Sequence, residues 1–147
     1  MSPLAIIRRL RVNSQGAVAV EFALIGPAFI VMLLGVLQVG IGLQNYNALR
    51  NVSADVARHA MVQYSTGNNL SNSQLTTFTR SKARQAPYLL TGSRLYANVT
   101  TATTQRVAGA TELTLTINYQ IPSLFSSMGL EGPYIRYTRP IFLTQPA

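Results

Sequence analysis

The apolar positions of this chain divide its first 64 residues into two parts. From Ala17 to Leu43 the sequence is almost continuously apolar, and residues 22–43 carry no charge. That stretch is longer than the about 20 residues that a helix needs to span a bilayer core. In the next part, 44–64, there is no proline or glycine, and apolar residues recur at near-helical spacing at Tyr46, Leu49, Val52, Val56, Ala60 and Tyr64. The pattern predicts one long helix from about Ala17 to Tyr64, membrane-spanning over 17–43 and amphipathic over 44–64.

The remaining residues, 65–147, predict a small mixed domain. A polar, glycine-containing cluster, Ser65–Asn69, ends the long helix, and residues 73–86 predict a short helix that Ser71 or Ser73 caps and Pro87 ends. Alternating apolar positions predict strands at 95–99 and 113–121. A third candidate strand, 134–144, contains Pro140, which places it at a sheet edge or breaks it. The fold class is therefore α+β: a long N-terminal spine helix packed on a small domain that has a short helix and a small antiparallel sheet.

The charge distribution predicts how the chain is oriented. Of 147 residues 12 are basic and 4 acidic, and three arginines, Arg8, Arg9 and Arg11, precede the apolar stretch with no acid among them. Positive residues flanking a membrane helix stay in the cytoplasm, so the N-terminus should be cytoplasmic and the domain exported. The later basic residues do not interleave with aromatic residues, so we expect no nucleic-acid partner.

A cleaved secretory signal is the competing interpretation of the apolar stretch. Such a signal has an apolar core of about 7–15 residues followed by a cleavage site with small residues. The run here is longer, and Val39–Gly42 is a poor cleavage site. We therefore favour a retained, single-pass anchor.

One carboxylate, Glu21, interrupts the apolar stretch near its start. A carboxylate at mid-membrane costs about 2.5–3.5 kcal/mol by insertion scales, so a functional role is the first hypothesis, with an interfacial position as the plainer alternative. If a peptidase cut after Gly16, Ala17 would carry a new α-amine, and Glu21 would lie four residues on, on the same helix face. It would then also lie in the first helical turn, where the helix dipole favours an anion.

This N-terminal arrangement resembles the prepilins, and more closely the TadE/TadF-like minor pilins (pseudopilins) of the tight-adherence (Flp-type) type IV pilus system. The resemblance rests on Gly16, four apolar residues, Glu21 and Phe22, opening an apolar helix after a short basic leader, and on a proline a few residues later, Pro27. Residues 16–27 carry most of the resemblance. Beyond about residue 64 the chain resembles these proteins in architecture and not in sequence motifs.

The resemblance implies a bacterial inner-membrane protein whose leader, 1–16, is removed by a prepilin peptidase. It implies Gly16 and Ala17 as the processing site, Glu21 as a charge partner and Phe22 as a recognition or packing residue. The implied partners are that peptidase, other pilins or pseudopilins and the inner-membrane assembly platform. The implied function is initiation, capping or bracing of a pilus, with possible incorporation in the surface filament. The alternative is a single-pass, membrane-anchored binding module or adhesin outside any filament.

Pro27 predicts a bend, because it donates no N–H and leaves the carbonyl of Ala23 without its helical partner. The bend is either a harmless kink or a hinge for leaving the bilayer, and the sequence leaves both open.

Enzymatic chemistry has little support in the sequence. The single histidine, His59, follows Asp55 by four residues, so both lie on one helix face, but Ser53 does not face them as a nucleophile would. Glu112 and Glu131 would pair only if the fold happened to bring them together. The sequence has no cysteine, no phosphate-binding glycine loop and no metal-ligand cluster. We predict no enzyme, no cofactor, no metal and no small-molecule substrate.

Overall fold

The computed structural model describes residues 14–144, with side chains from Gly16 onward. The described residues fall into two compact units that divide between Val39 and Gly40. The first helix, α1, is Ser14–Ser65 and contributes to both units. It begins three residues before the predicted start and ends one residue after the predicted end, so the prediction of a long N-terminal helix is confirmed.

In the first unit, α1 exposes its apolar side chains. Its most apolar 18-residue window has a mean hydropathy of 2.3, and none of that window is buried. The core helix of a soluble protein would be mostly buried, whereas a membrane anchor presents its apolar residues to lipid. By length and composition α1 is able to cross a membrane.

The second unit is built on a three-stranded antiparallel sheet. Its strands are β1, Leu95–Thr101, β2, Thr111–Gln120, and β3, Tyr134–Leu143, in the spatial order β1-β2-β3. All three predicted strands are therefore present. Pro140 lies within β3, opposite Thr114 of β2, and β3 is an edge strand, where a missing N–H is tolerated.

One hydrophobic core joins the sheet to two helices. The amphipathic part of α1 contributes Leu49, Val52 and Val56, which are fully buried. The sheet contributes the alternating positions that the sequence predicted to face inward, among them Leu113, Leu115, Ile117 and Tyr119 of β2. Since these residues come from α1 and from strands far along the chain, the amphipathic part of α1 belongs to the folded domain.

The second helix, α2, is Asn72–Arg84. Ser71 caps it and forms a reciprocal capping box with Gln74, which satisfies free N–H groups of the first turn. The helix ends two residues before the predicted Ala86, and Gln85 is already extended. Ala86 directly precedes Pro87, and the residue before a proline disfavours the helical conformation. Its buried residues are Leu75, Thr79 and Ala83, and Phe78 packs against the core while partly exposed.

The connection between β2 and β3 closes tightly at its base. The Ile121 N–H donates to the Pro133 carbonyl at 3.0 Å, and a Cβ on Gly132 would lie 1.9 Å from the Ile121 carbonyl oxygen. Only glycine allows the two chain segments to approach so closely. The Ile121 side chain reaches α1, where its Cδ1 lies 3.4 Å from the Cβ position of Gly42.

Candidate functional site: the start of the apolar helix

The residues of the predicted processing site all lie in α1 and are exposed. Gly16 is helical, and a Cβ added there would meet nothing within 4 Å. Glycine in a helix is about 1 kcal/mol less favourable than alanine. The fold of this chain therefore gives no reason for glycine at position 16, and a requirement for it would have to come from a partner.

Glu21 lies deeper in the helix of the uncut chain than a capping acid would. Because α1 begins at Ser14, Glu21 is seven residues beyond the first helical position, and the first turn contains no acid. Cleavage after Gly16 would place Glu21 four residues from the new N-terminus at Ala17. The predicted first-turn position thus applies only to the cut chain.

Phe22 packs against its own helix. Its side chain is 76% exposed, and its Cε1 atom lies 3.7 Å from the Cβ position of Gly26. The ring therefore lies beside Gly26, the residue that precedes Pro27. The helix α1 continues through Pro27 without a break. The predicted leader arginines, Arg8, Arg9 and Arg11, lie outside the described residues.

The three side chains considered for catalysis from the sequence, those of Asp55, His59 and Ser53, each have a different partner. Asp55 accepts a hydrogen bond from the Tyr88 hydroxyl at 2.9 Å and lies 3.5 Å from Nζ of Lys82. His59 stacks on Phe78 with ring centroids 4.0 Å apart. Ser53 donates to the carbonyl of Arg50, one turn earlier, at 2.6 Å. Asp55 and His59 therefore attach α2 and the segment after it to α1.

The contact with Asp55 affects the pKa of Tyr88. Burial raises the pKa of its phenol, and the hydrogen bond to Asp55 raises the pKa further. The phenol consequently stays protonated and remains a donor to Asp55.

An ion pair between Glu112 and Arg106 was not predicted from the sequence. Glu112 is 3% exposed and accepts hydrogen bonds from the Arg106 guanidinium, one of them from Nε at 2.9 Å. These hydrogen bonds hold the pKa of the Glu112 carboxyl below its usual value. Glu131 instead lies 3.9 Å from Arg94, so the two glutamates do not form a carboxylate pair with each other. An acid and a base six residues apart, on either side of Gly109, were the available sequence signal.

Comparison with known proteins agrees with the N-terminal segment. Residues 16–58 match the family model of TadE-like proteins. The match begins at Gly16, includes the whole apolar stretch and extends into the buried part of α1, and it confirms the TadE-like resemblance. This family is associated with the tight-adherence pilus and is not an enzyme family. No curated protein and no solved structure matches the chain.

Proposed function

We propose that this TadE-like protein of the tight-adherence system is a minor pilin, made as a precursor and cut by a prepilin peptidase after Gly16. The mature chain would be needed to initiate, cap or brace a pilus. The observation that carries the proposal is the exposed segment Gly16–Phe22 at the start of an unburied apolar helix, within the range that matches TadE-like proteins.

Each part of the chain has its own role in this minor pilin. Residues 1–16 are the leader, 17–43 the membrane anchor, 44–64 the amphipathic continuation and 65–147 the exported domain. The N-terminus faces the cytoplasm of a bacterial inner membrane. The partners are the peptidase, neighbouring pilins and the assembly platform.

Glycine at position 16 supports cleavage at this point. The fold leaves open space around Gly16, which supports a role for the glycine in cleavage: a side chain next to the scissile bond would obstruct the active site of the peptidase. The exposed helical surface around it leaves the segment accessible to a membrane-embedded enzyme.

Glu21 becomes a charge partner only after cleavage. The new Ala17 amine and the Glu21 carboxylate carry opposite charges, and both lie in a medium of low dielectric constant. Such charges are costly unless paired, so an amine and a carboxylate on adjacent subunits favour one axial register. Glu21 would therefore act in assembly and not in cleavage.

The test of cleavage is the mass and N-terminal sequence of the full-length protein purified from its native membranes. We expect a chain that begins at Ala17. Gly16→Leu should leave the precursor uncut, whereas Gly35→Leu, at a helical glycine that also has open space around it, should be cut normally. A wild-type chain that still begins at Met1 would refute the pilin proposal, and one that begins beyond about residue 40 would indicate a secretory signal.

The same strains test the role of Glu21. Glu21→Ala should be cut as the wild type is, but should yield few or no pili in electron micrographs, because the charge partner is missing. Normal pilus numbers in that strain would contradict charge pairing without affecting the conclusion on cleavage.

A further inference from the structure

Three strongly exposed apolar side chains lie close together in sequence in the second unit. The β2–β3 connection and the first residue of β3 form a surface, 121–134, that we call the apolar loop. Met128 is 75% exposed, Tyr134 73% and Leu130 59%. Exposed apolar surface of this kind, where it is contiguous, marks a site of contact with a protein or a membrane.

The backbone of the apolar loop is held in place by its own hydrogen bonds. A single 3-10 turn, Ser126–Met128, is closed by the Met128 N–H donating to the Phe125 carbonyl at 2.9 Å. Gly129 follows with a positive φ of 78°, and its N–H donates to Ser126 at 3.0 Å. Together with the closed base at Ile121 and Pro133, these bonds fix Met128 and Leu130 in their exposed positions.

The base of the apolar loop lies against α1 at a defined level. Ile121 contacts α1 at Gly42, which is in the last turn of the uncharged stretch 22–43. One turn later, Tyr46 is partly exposed and packs edge-to-face on Tyr137 of β3, with ring centroids 5.8 Å apart. The base of the apolar loop, at Ile121, thus contacts α1 next to the point at which this helix changes from uniformly apolar to amphipathic.

The charges of the second unit favour an anionic surface. Its three acids, Asp55, Glu112 and Glu131, each lie beside a base. Among the residues that the structure describes from Gly40 onward, the bases without an acidic partner are Arg50, Arg58, Arg80, Arg84, Arg136 and Arg139. Arg136 is two residues from Tyr134, is exposed, and donates to Asn118 at 2.8 Å.

We propose that the apolar loop rests in the interfacial layer of the bilayer that α1 crosses, on the side of the exported domain. Met128 and Leu130 enter the boundary of the acyl chains, Tyr134 lies at the level of the headgroups, and Arg136 faces anionic phosphate groups. Apolar side chains next to an aromatic ring and a cation suit this layer. The inference rests on the proposed membrane crossing of α1, and it gives the subunit a second, weaker attachment to lipid.

The absence of cysteine from the chain permits a direct test. A nitroxide label is attached to single-cysteine variants of the full chain in vesicles of phosphatidylethanolamine and phosphatidylglycerol. Met128→Cys reports on the apolar loop and Val31→Cys on the anchor. Met61→Cys, at an exposed methionine near the far end of α1, is the matched control. Collision rates with oxygen, which concentrates in lipid, and with a water-soluble nickel chelate give the position of each label.

The expected result is that labels at 128 and 31 both favour oxygen, while the label at 61 favours the nickel chelate. If 31 favours oxygen but 128 resembles 61, the apolar loop is in water and the inference is wrong, while the membrane crossing stands. A label at 128 that is shielded from both reagents would show a protein partner and would also overturn the inference. If 31 itself meets the nickel chelate, the membrane crossing fails and the inference fails with it.

A second pair of substitutions separates lipid contact from a change of fold. Leu130→Gln, in the Met128→Cys background, should reduce the preference of the label for oxygen. Leu89→Gln, at a leucine that is 71% exposed outside the apolar loop, should leave it unchanged. Equal shifts in the two variants would contradict a specific role for the apolar loop.

Discussion

Glu112 shows how a single residue departs from the alternation of its strand. It follows the partly buried Thr111 and precedes the buried Leu113 in β2, yet its own side chain is also buried. The preceding turn brings Arg106 over it, and the Arg106 guanidinium lies 5.4 Å from the ring centroid of Phe142, the residue paired with Glu112 on β3. The Arg106 guanidinium thus contacts both the Glu112 carboxylate and the Phe142 ring.

This ion pair predicts a pH dependence of stability. Because the folded-state pKa of Glu112 lies below its ordinary value of 4.5, its stabilising contribution is complete above that value and is lost as the pH falls below it. Glu112→Gln should lower the unfolding temperature near neutral pH and flatten the decline on acidification. The measurement is thermal unfolding of the full chain in detergent micelles across that pH range.

Glu131→Gln is the control for this measurement. The Glu131 side chain is 62% exposed, and exposed ion pairs contribute little to stability. Its unfolding curves should follow those of the wild type at each pH. Parallel pH profiles of the wild type and Glu112→Gln would show that the Glu112 ion pair has no such role.

At the scale of elements, α1 has different surroundings along its length. Its apolar part has no buried residue in its most hydrophobic window, whereas Leu49, Val52 and Val56 are completely enclosed by the sheet and α2. Near its end α1 is exposed again at Met61 and Val62. The middle of the amphipathic part of α1 thus packs with the sheet to form the hydrophobic core.

Truncating a buried residue of α1 should therefore unfold the domain more easily. Leu49→Ala should cost about 2–5 kcal/mol of unfolding free energy, because it leaves a cavity in the core. Met61→Ala, on an exposed face of the same helix, should change the unfolding free energy by no more than about 0.5 kcal/mol. Denaturant unfolding of the full chain in micelles measures both, and similar costs would contradict the assigned core.

At the scale of the whole molecule, the chain combines an apolar helix with a basic domain. The formal net charge is +8, and the acids available to the second unit are all beside bases. Under the proposed topology this basic domain is exported and its surface meets anionic lipid or acidic partners outside the cytoplasm. The side of the membrane on which the domain lies therefore decides which partners it meets.

That orientation is measurable with one cysteine. Val107→Cys lies in the β1–β2 turn at a position that is 45% exposed, and the wild-type chain, with no cysteine, gives the background. A membrane-impermeant maleimide should label the variant in intact spheroplasts, because the domain is exported. Labelling only after lysis would place the domain in the cytoplasm and reverse the proposed topology.

The sequence by itself determined the elements and the candidate processing site. Continuous apolarity, the uninterrupted helical spacing of 44–64 and the strict alternation in β2 are local signals, and each element depends mainly on neighbouring residues. The order of Gly16, Glu21 and Phe22 was likewise visible without a fold. Only the tertiary structure decided that Asp55 holds Tyr88 and Lys82, that Arg106 covers Glu112 and that the apolar loop meets α1 at Gly42. These contacts depend on how the chain turns and packs, and the contacts of Asp55 and of the apolar loop join residues far apart in sequence, which no local periodicity encodes.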